Sequence, residues 1–161
     1  SKELKPTGND YYKALPGVFR ESATLDSFHA FIEGWKIPRL GMKNILRGWT
    51  LNSEYFSEAL HFLRTESMYE SIFNQLVKTK EENPDIRDVK AVRRIATAYC
   101  KLLFPHVSDI STLSAEDLDQ YKQMYRIYCL EPAVEKRAII RAQCHMVDKE
   151  YSAEMPSFII E

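Results

Sequence analysis

Residues 86–104 read IRDVKAVRRIATAYCKLLF, and their spacing decides the class of fold. Val89, Val92, Ala96, Tyr99 and Leu103 recur at intervals of three and four, which lines them along one face of an α-helix. The second half of the stretch is apolar on nearly every side. It is therefore expected to be the central, buried helix, with Val92, Ala96, Tyr99 and Leu103 at its heart. Asp85 is placed to cap its start. Phe104-Pro105 ends it, because the residue before a proline is pushed out of the helical region.

Similar signals stand on either side. Phe56, Ala59, Leu60 and Leu63 form one apolar stripe, with Asn52 or Ser53 as cap and Arg64 near the end. Tyr69, Ile72, Phe73 and Leu76 repeat the spacing behind a capping box of Ser67 and Glu70. The run KTKEENPD (78–85) then reads as a solvated break. Further on, Ser114 and Asp117 start a fourth helix with Leu118, Tyr121, Tyr125 and Tyr128 inward, and Pro132 fits the first turn of a fifth that runs to about Val147.

Before these helices the texture changes. Residues 15–48 hold four of the five glycines among short apolar bursts: LPGVF, ATLDSFHAFI, GWKIPRL. They suggest a short helix near Ser22–Phe28, a strand-like His29–Ile32 and a turn at Gly34. The fold class read here is mainly α: five helices preceded by a short mixed or irregular segment. The expected divisions are a flexible arm at 1–14, the mixed segment at 15–48, the helical body at 49–150 and a linker at 151–161. The chain starts without Met and closes on the apolar PSFII (156–160), so both ends read as cut from something longer.

Composition narrows the function. A net charge of −1 gives no global field that draws in nucleic acid. No apolar run approaches the length of a membrane helix, and SKELKPTGND has no signal-peptide core. Cys100, Cys129 and Cys144, an odd count without CxxC spacing, fit reduced buried thiols in the cytoplasm, and no Cys/His set has the spacing of a metal site. No phosphate-cradling GxxxxGK[ST] loop and no nucleophile–base pair appears, so no catalytic residue is assigned and the chain is not expected to be an enzyme by itself.

Two basic clusters remain. Lys36, Arg39, Lys43 and Arg47 surround Trp35 and Trp49; such a segment either binds nucleic acid or is a hinge with packed tryptophans and solvated cations. The other is RDVKAVRR (87–94). Arg87 lies in the first turn of its helix, where the helix dipole disfavours a cation, so it is either held there for an anion or is an ordinary surface arginine.

Two segments together resemble a known family. LPGVFRESATLDSFHAFIEGWKIPRL (15–40) resembles the end of the αβ core of an AAA+ ATPase, and RDVKAVRRIATAYCKLLFPH (87–106) resembles the lid helix that bears the sensor-2 arginine in the Lon and MCM branch. With LNSEYFSEALHFLR between them, the order is most similar to the Lon-protease-like BrxL ATPases of bacterial phage-defence (BREX) systems, over about residues 15–150. The resemblance implies an AAA+ lid-like helical assembly behind the last edge of a nucleotide-binding core. It implies ATP and Mg as cofactors of the full-length protein but none for the isolated chain. As partners it implies other subunits of the same ring and DNA, with no membrane and no metal-site partner. Arg87 matches the sensor-2 position. Asp26-Ser27-Phe28 matches the motif that usually carries the arginine reaching a neighbour's ATP, and Ser27 departs from it. Either that finger was lost, the sequence was altered there, or Arg20 supplies the charge. Outside the resemblance, a helical protein-interaction module without nucleotide role and a DNA-binding helical domain using Trp35–Trp49 stand as alternatives.

Overall fold

The computed structural model describes residues 10–161; the first nine residues of the expected arm lie outside the described part. The chain is mainly α, as the periodicity indicates. A short helix α1 (Ser22–Ser27) is followed by α2 (Ser53–Thr65), α3 (Met68–Leu76), α4 (Ile86–Leu103), α5 (Ala115–Tyr125) and α6 (Glu131–Val147). Two short strands, β1 (Val77–Thr79) and β2 (Phe158–Ile160), pair antiparallel with Lys78 opposite Ile159. The residues divide into two compact units, one of residues 33–67 and one built from residues 10–32 together with 68–161.

In the larger unit, α4 packs against α3 and α6, and α1 packs against α6. Tyr69, Ile72, Phe73 and Leu76 of α3 are all buried, as their spacing requires. Tyr12, Leu25, Ile140 and Cys144 form one apolar cluster, joined by Tyr11, Phe31 and Tyr151 at its rim. Residues 10–14, the described part of the expected arm, are therefore held: Tyr12 is buried and the Tyr11 N–H donates to Gln143 Oε1 at 2.9 Å.

Four expectations need correction. The buried face of α4 carries Asp88, Ala91, Val92, Ala96 and Cys100, so the stripe is turned from the one through Val89 and Tyr99, and Leu103 is 49% exposed. The cause is Asp88, which is drawn inward by arginines of α6. Tyr128 is also outside, 51% exposed, whereas Tyr121, Tyr125 and Cys129 are buried. Residues Arg126–Leu130 form a turn of π-helix that joins α5 to α6 without a break. One extra residue in that turn shifts every later side chain by one position. His29–Ile32 is not a strand, since the Phe28 carbonyl just before it accepts from Arg137 (2.6 Å) rather than from a neighbouring strand. The small sheet is formed instead by Val77–Thr79, of which Lys78 and Thr79 were read as part of the break, and by Phe158–Ile160, read as part of a linker.

The unit of residues 33–67 is built differently. Asn52 caps α2, its Oδ1 accepting from the Glu54 N–H at 2.8 Å. Yet no residue of α2 is fully buried: Ala59, Leu60 and Leu63 of the stripe are half-buried and Phe56 is exposed, and α2 groups with the segment before it rather than with the helical body. Gly48 has φ 109°, a backbone region that a side chain would strain, and it turns the chain just ahead of the fully exposed Trp49.

Candidate functional site

The site is built on the start of α4. Asp85 caps the helix, its Oδ1 accepting from the Arg87 N–H at 2.9 Å. Its other oxygen accepts from Arg141 Nη1 at 2.9 Å. Burial raises the Asp85 carboxyl, but the bonds from Arg141 and the Arg87 N–H outweigh it and leave it below its ordinary value. Arg87 thus sits in the first turn, as expected, and its side chain is 63% exposed. Its Nη1 donates to Asp26 Oδ2 at 2.5 Å, although Asp26 belongs to α1 and its side chain is only 1% exposed.

Asp26 is fixed from below. Its Oδ1 accepts from Arg137 Nη2, while Arg137 Nε donates to Asp88 Oδ1 at 2.7 Å. Arg137 Nη1 donates to the carbonyls of Asp26 (3.0 Å) and Phe28 (2.6 Å), which satisfies the C-terminal end of α1. Arg141 Nη1 lies 3.3 Å from Asp88 Oδ2 and its guanidinium stands over the Tyr151 ring. Burial pushes the Asp88 carboxyl up against the pull of Arg137 and Arg141. One buried network therefore joins α1, α4 and α6, and Arg87 is its exposed end.

Above the network lies a cleft of about 330 Å³ lined by Ser27, His29, Arg87, Lys90 and Arg94, with Asp26 and Arg137 at its floor. His29 Nε2 is 2.7 Å from Arg94 Nη1. A guanidinium can only donate, so His29 accepts here and is neutral. Burial lowers the His29 pKa, with Arg94 and Arg137 adding to the effect. Ser27 stands at the lip, its hydroxyl folded back to donate to the Thr24 carbonyl at 2.5 Å.

The structure brings Arg87 and Ser27 to one cleft and leaves Arg20 at another. Arg20 lines a separate pocket with Tyr12, Leu25 and Gln143, and its Nη2 is 3.7 Å from Asp10. In the other unit, Lys36 pairs with Glu33 and Trp49 stands free of packing. Cys100, Cys129 and Cys144 are free and buried; burial pushes the Cys129 thiol up to about 12 and the Cys144 thiol to about 11, which keeps both protonated.

Sequence reasoning missed Asp26, Asp88, Arg137, Arg141 and His29. A signal was present for some of them: Asp88 falls on the same stripe as Val92 and Ala96, and Arg137 falls between Ala133 and Ile140. Opposite charges on two buried stripes announce a pair, but not which helices meet.

The donor set suits a compact anion with several oxygens, such as a phosphate chain: cations line a cleft at a helix N-terminus. It does not suit magnesium. The carboxylates of Asp26, Asp85 and Asp88 are taken by guanidinium groups, and among the described residues no three His, Cys, Asp or Glu side chains are placed to hold a metal ion.

The fold is a mainly helical one with a basic cleft at the start of α4, and comparison with known proteins gives its class as an ATPase domain. Residues 1–157 match the family described as Lon-like protease BrxL-like, ATPase domain, and the chain belongs to that family. It is 30% identical over 129 residues to the Lon-like protease BrxL of Escherichia coli O9:H4 (strain HS), covering 80% of this chain and 17% of that protein. It is 29% identical over 86 residues to the Lon-like protease BrxL of Bacillus cereus (strain H3081.97), covering 53% of this chain and 12% of the relative. The chain thus spans less than a fifth of either curated relative. Among the described residues no helix is long and apolar enough to cross a membrane.

Proposed function

We propose that this chain is the helical lid of a ring-forming, cytoplasmic, Lon-like AAA+ ATPase of bacterial phage defence, with α3–α6 as the moving body. In this reading it closes over ATP, with Arg87 on the terminal phosphate, and couples hydrolysis to DNA-associated motion of the ring. The observation that carries the reading is the setting of Arg87. It is two-thirds exposed in the first turn of a capped helix, and its carboxylate partner is fixed from below by Arg137. Phosphate oxygens can replace that carboxylate without disturbing the buried pair. A guanidinium engages them bidentately, as lysine cannot.

During hydrolysis negative charge builds on the transferred phosphoryl oxygens, and a fixed cation lowers the energy of that state. ATP supplies the phosphoryl group; this chain's residues bind and neutralise, and magnesium is held by groups other than the three aspartates described above. Arg20 stands in for the arginine missing at Ser27 and reaches a neighbouring subunit's nucleotide. Its exposure and its loose 3.7 Å pairing with Asp10 support that role.

The test is Arg87→Ala in the full-length protein. Steady-state ATPase should fall at least about tenfold, equivalent to about 1.4 kcal/mol of transition-state stabilisation. The melting temperature should drop only slightly, because Asp26 keeps its bond from Arg137. Unchanged turnover would leave Arg87 a surface residue. The interaction-module reading would then take over, favoured by the exposed Leu40, Leu46, Trp49 and Phe62 of residues 33–67.

A further inference from the structure

We propose that the outer edge of β2 is a docking site for an extended, uncharged, apolar segment of another polypeptide. The segment adds to the small sheet as a third strand and lays side chains into the groove that β2 shares with α6. No residue of the Arg87 cleft takes part, so this inference stands or falls apart from the nucleotide reading.

The backbone of β2 is only half used. The Lys80 N–H donates to the Ser157 carbonyl at 3.0 Å, and the Glu161 N–H donates to the Leu76 carbonyl at 2.9 Å. In an antiparallel pair these two bonds make Lys78 and Ile159 the hydrogen-bonded partners, and they turn the N–H and C=O of Phe158 and Ile160 away from β1. Among the described residues those outward groups meet no partner. The strand that carries them is half-buried, so leaving them unmade costs more than on an open surface. A second extended backbone, lying edge-on, satisfies donors and acceptors at this spacing, whereas a helix has spent its own. The strand also lacks the features that keep an edge closed. β1 carries Lys78 and is followed by Lys80, but Phe158–Ile160 has no charge, no proline and no bulge.

The groove along β2 has a volume of about 730 Å³. Leu130, Val134, Met155 and Phe158 give it apolar walls, and Leu130 comes from the end of the π turn that leads into α6. Its charged residues cancel. Arg126 pairs with Glu131 at 2.9 Å, and Lys80 and Glu135 add one charge of each sign. A charged side chain entering the groove gives up water and meets no net opposite charge, so an uncharged segment is selected. The same balance offers nothing to nucleic acid, which binds through an excess of cations. A space of this size takes a few residues of one strand and not a second folded copy of the chain.

The experiment is amide hydrogen exchange on the full-length protein, read residue by residue across 156–161, with and without the uncharged peptide acetyl-TVTVTV-amide. At saturation the Phe158 and Ile160 amides should exchange at least about tenfold more slowly, while Ile159, already bonded to β1, changes by less than about twofold. Strand addition requires that alternation; general stiffening slows all three. The same peptide with proline in place of every valine cannot extend a sheet and should leave the three rates unchanged. Ile160→Pro should weaken binding of acetyl-TVTVTV-amide at least about tenfold, because it removes an outward N–H and leaves the bonds to β1 in place. Thermal melting checks that variant, and if it does not fold the proline peptide decides. No slowing at any attainable peptide concentration overturns the proposal, as does equal slowing by the proline peptide or slowing of all three amides alike. Protection of Phe158 and Ile160 already present without peptide also overturns it. Lost on dilution, that protection assigns the edge to a second copy; kept on dilution, it assigns the edge to the protein's own chain.

Discussion

Arg137 makes four hydrogen bonds with one side chain, to two carboxylates and two backbone carbonyls. A buried ion pair of this kind adds little net stability over an apolar substitute of the same shape, but removing one partner strands the others. Arg137→Met should therefore lower stability by about 3–5 kcal/mol, measured by denaturant unfolding, because Asp26 and Asp88 stay behind in the dark of the protein without their cation. Leu103→Ala should cost about 0.5 kcal/mol or less, as for an ordinary surface change, despite lying in the most apolar stretch of the sequence. A ranking in the opposite order would mean that the buried face of α4 is the one through Val89 and Leu103. What could be read at this scale was local. Asp85 as cap and Arg87 in the first turn follow from neighbours two residues apart. Asp26 and Arg137 are 111 residues apart, and no spacing rule connects them.

At the scale of elements, the helices were legible wherever the period stayed constant. Helix α3 buries the four residues its pattern names, and α4 and α6 end where the proline and the last apolar residue put them. The pattern failed where the period itself changed. The π turn at Arg126–Leu130 inserts one residue, so an extrapolation from Tyr121 and Tyr125 lands on exposed Tyr128 instead of buried Cys129. The two strands were illegible for another reason: three residues each carry almost no periodicity, and their partners are far apart in sequence. The π turn also makes a prediction. Inserting one alanine after Tyr128 rotates all of α6 by about 100° and carries Arg137 and Ile140 out of the core. The variant should lose cooperative unfolding in near-ultraviolet circular dichroism. Deleting the exposed Ile127 should keep it, because the turn can then close as regular α-helix with both faces in place. A cooperative insertion variant would show that α6 tolerates rotation and that the network is not what aligns it.

For the molecule as a whole, the two units differ in what holds them. The larger has buried residues in α1, α3, α4 and α6, while no residue of α2 is more than half-buried. Amides in α2 should therefore exchange with deuterium at least about a hundredfold faster than those of residues 91–100, as is usual for elements with few buried contacts. Equal protection would mean that residues 33–67 share the core's stability. The division also has a meaning for how the protein is made. Residues 10–32 belong with residues 68–161, yet 35 residues of the other unit are synthesised between them. As the chain leaves the ribosome, α1 emerges ahead of α4 and α6, with an aspartate destined for the interior and no cation to meet it. Helix α4 then adds Asp88, a second acid in the same position. Both wait in water until α6 emerges with Arg137. A nascent chain stopped inside α6 therefore cannot close its core, and it stays visible to proteases and chaperones as unfinished. The arginine that completes the network also marks the point at which the chain has become long enough to fold.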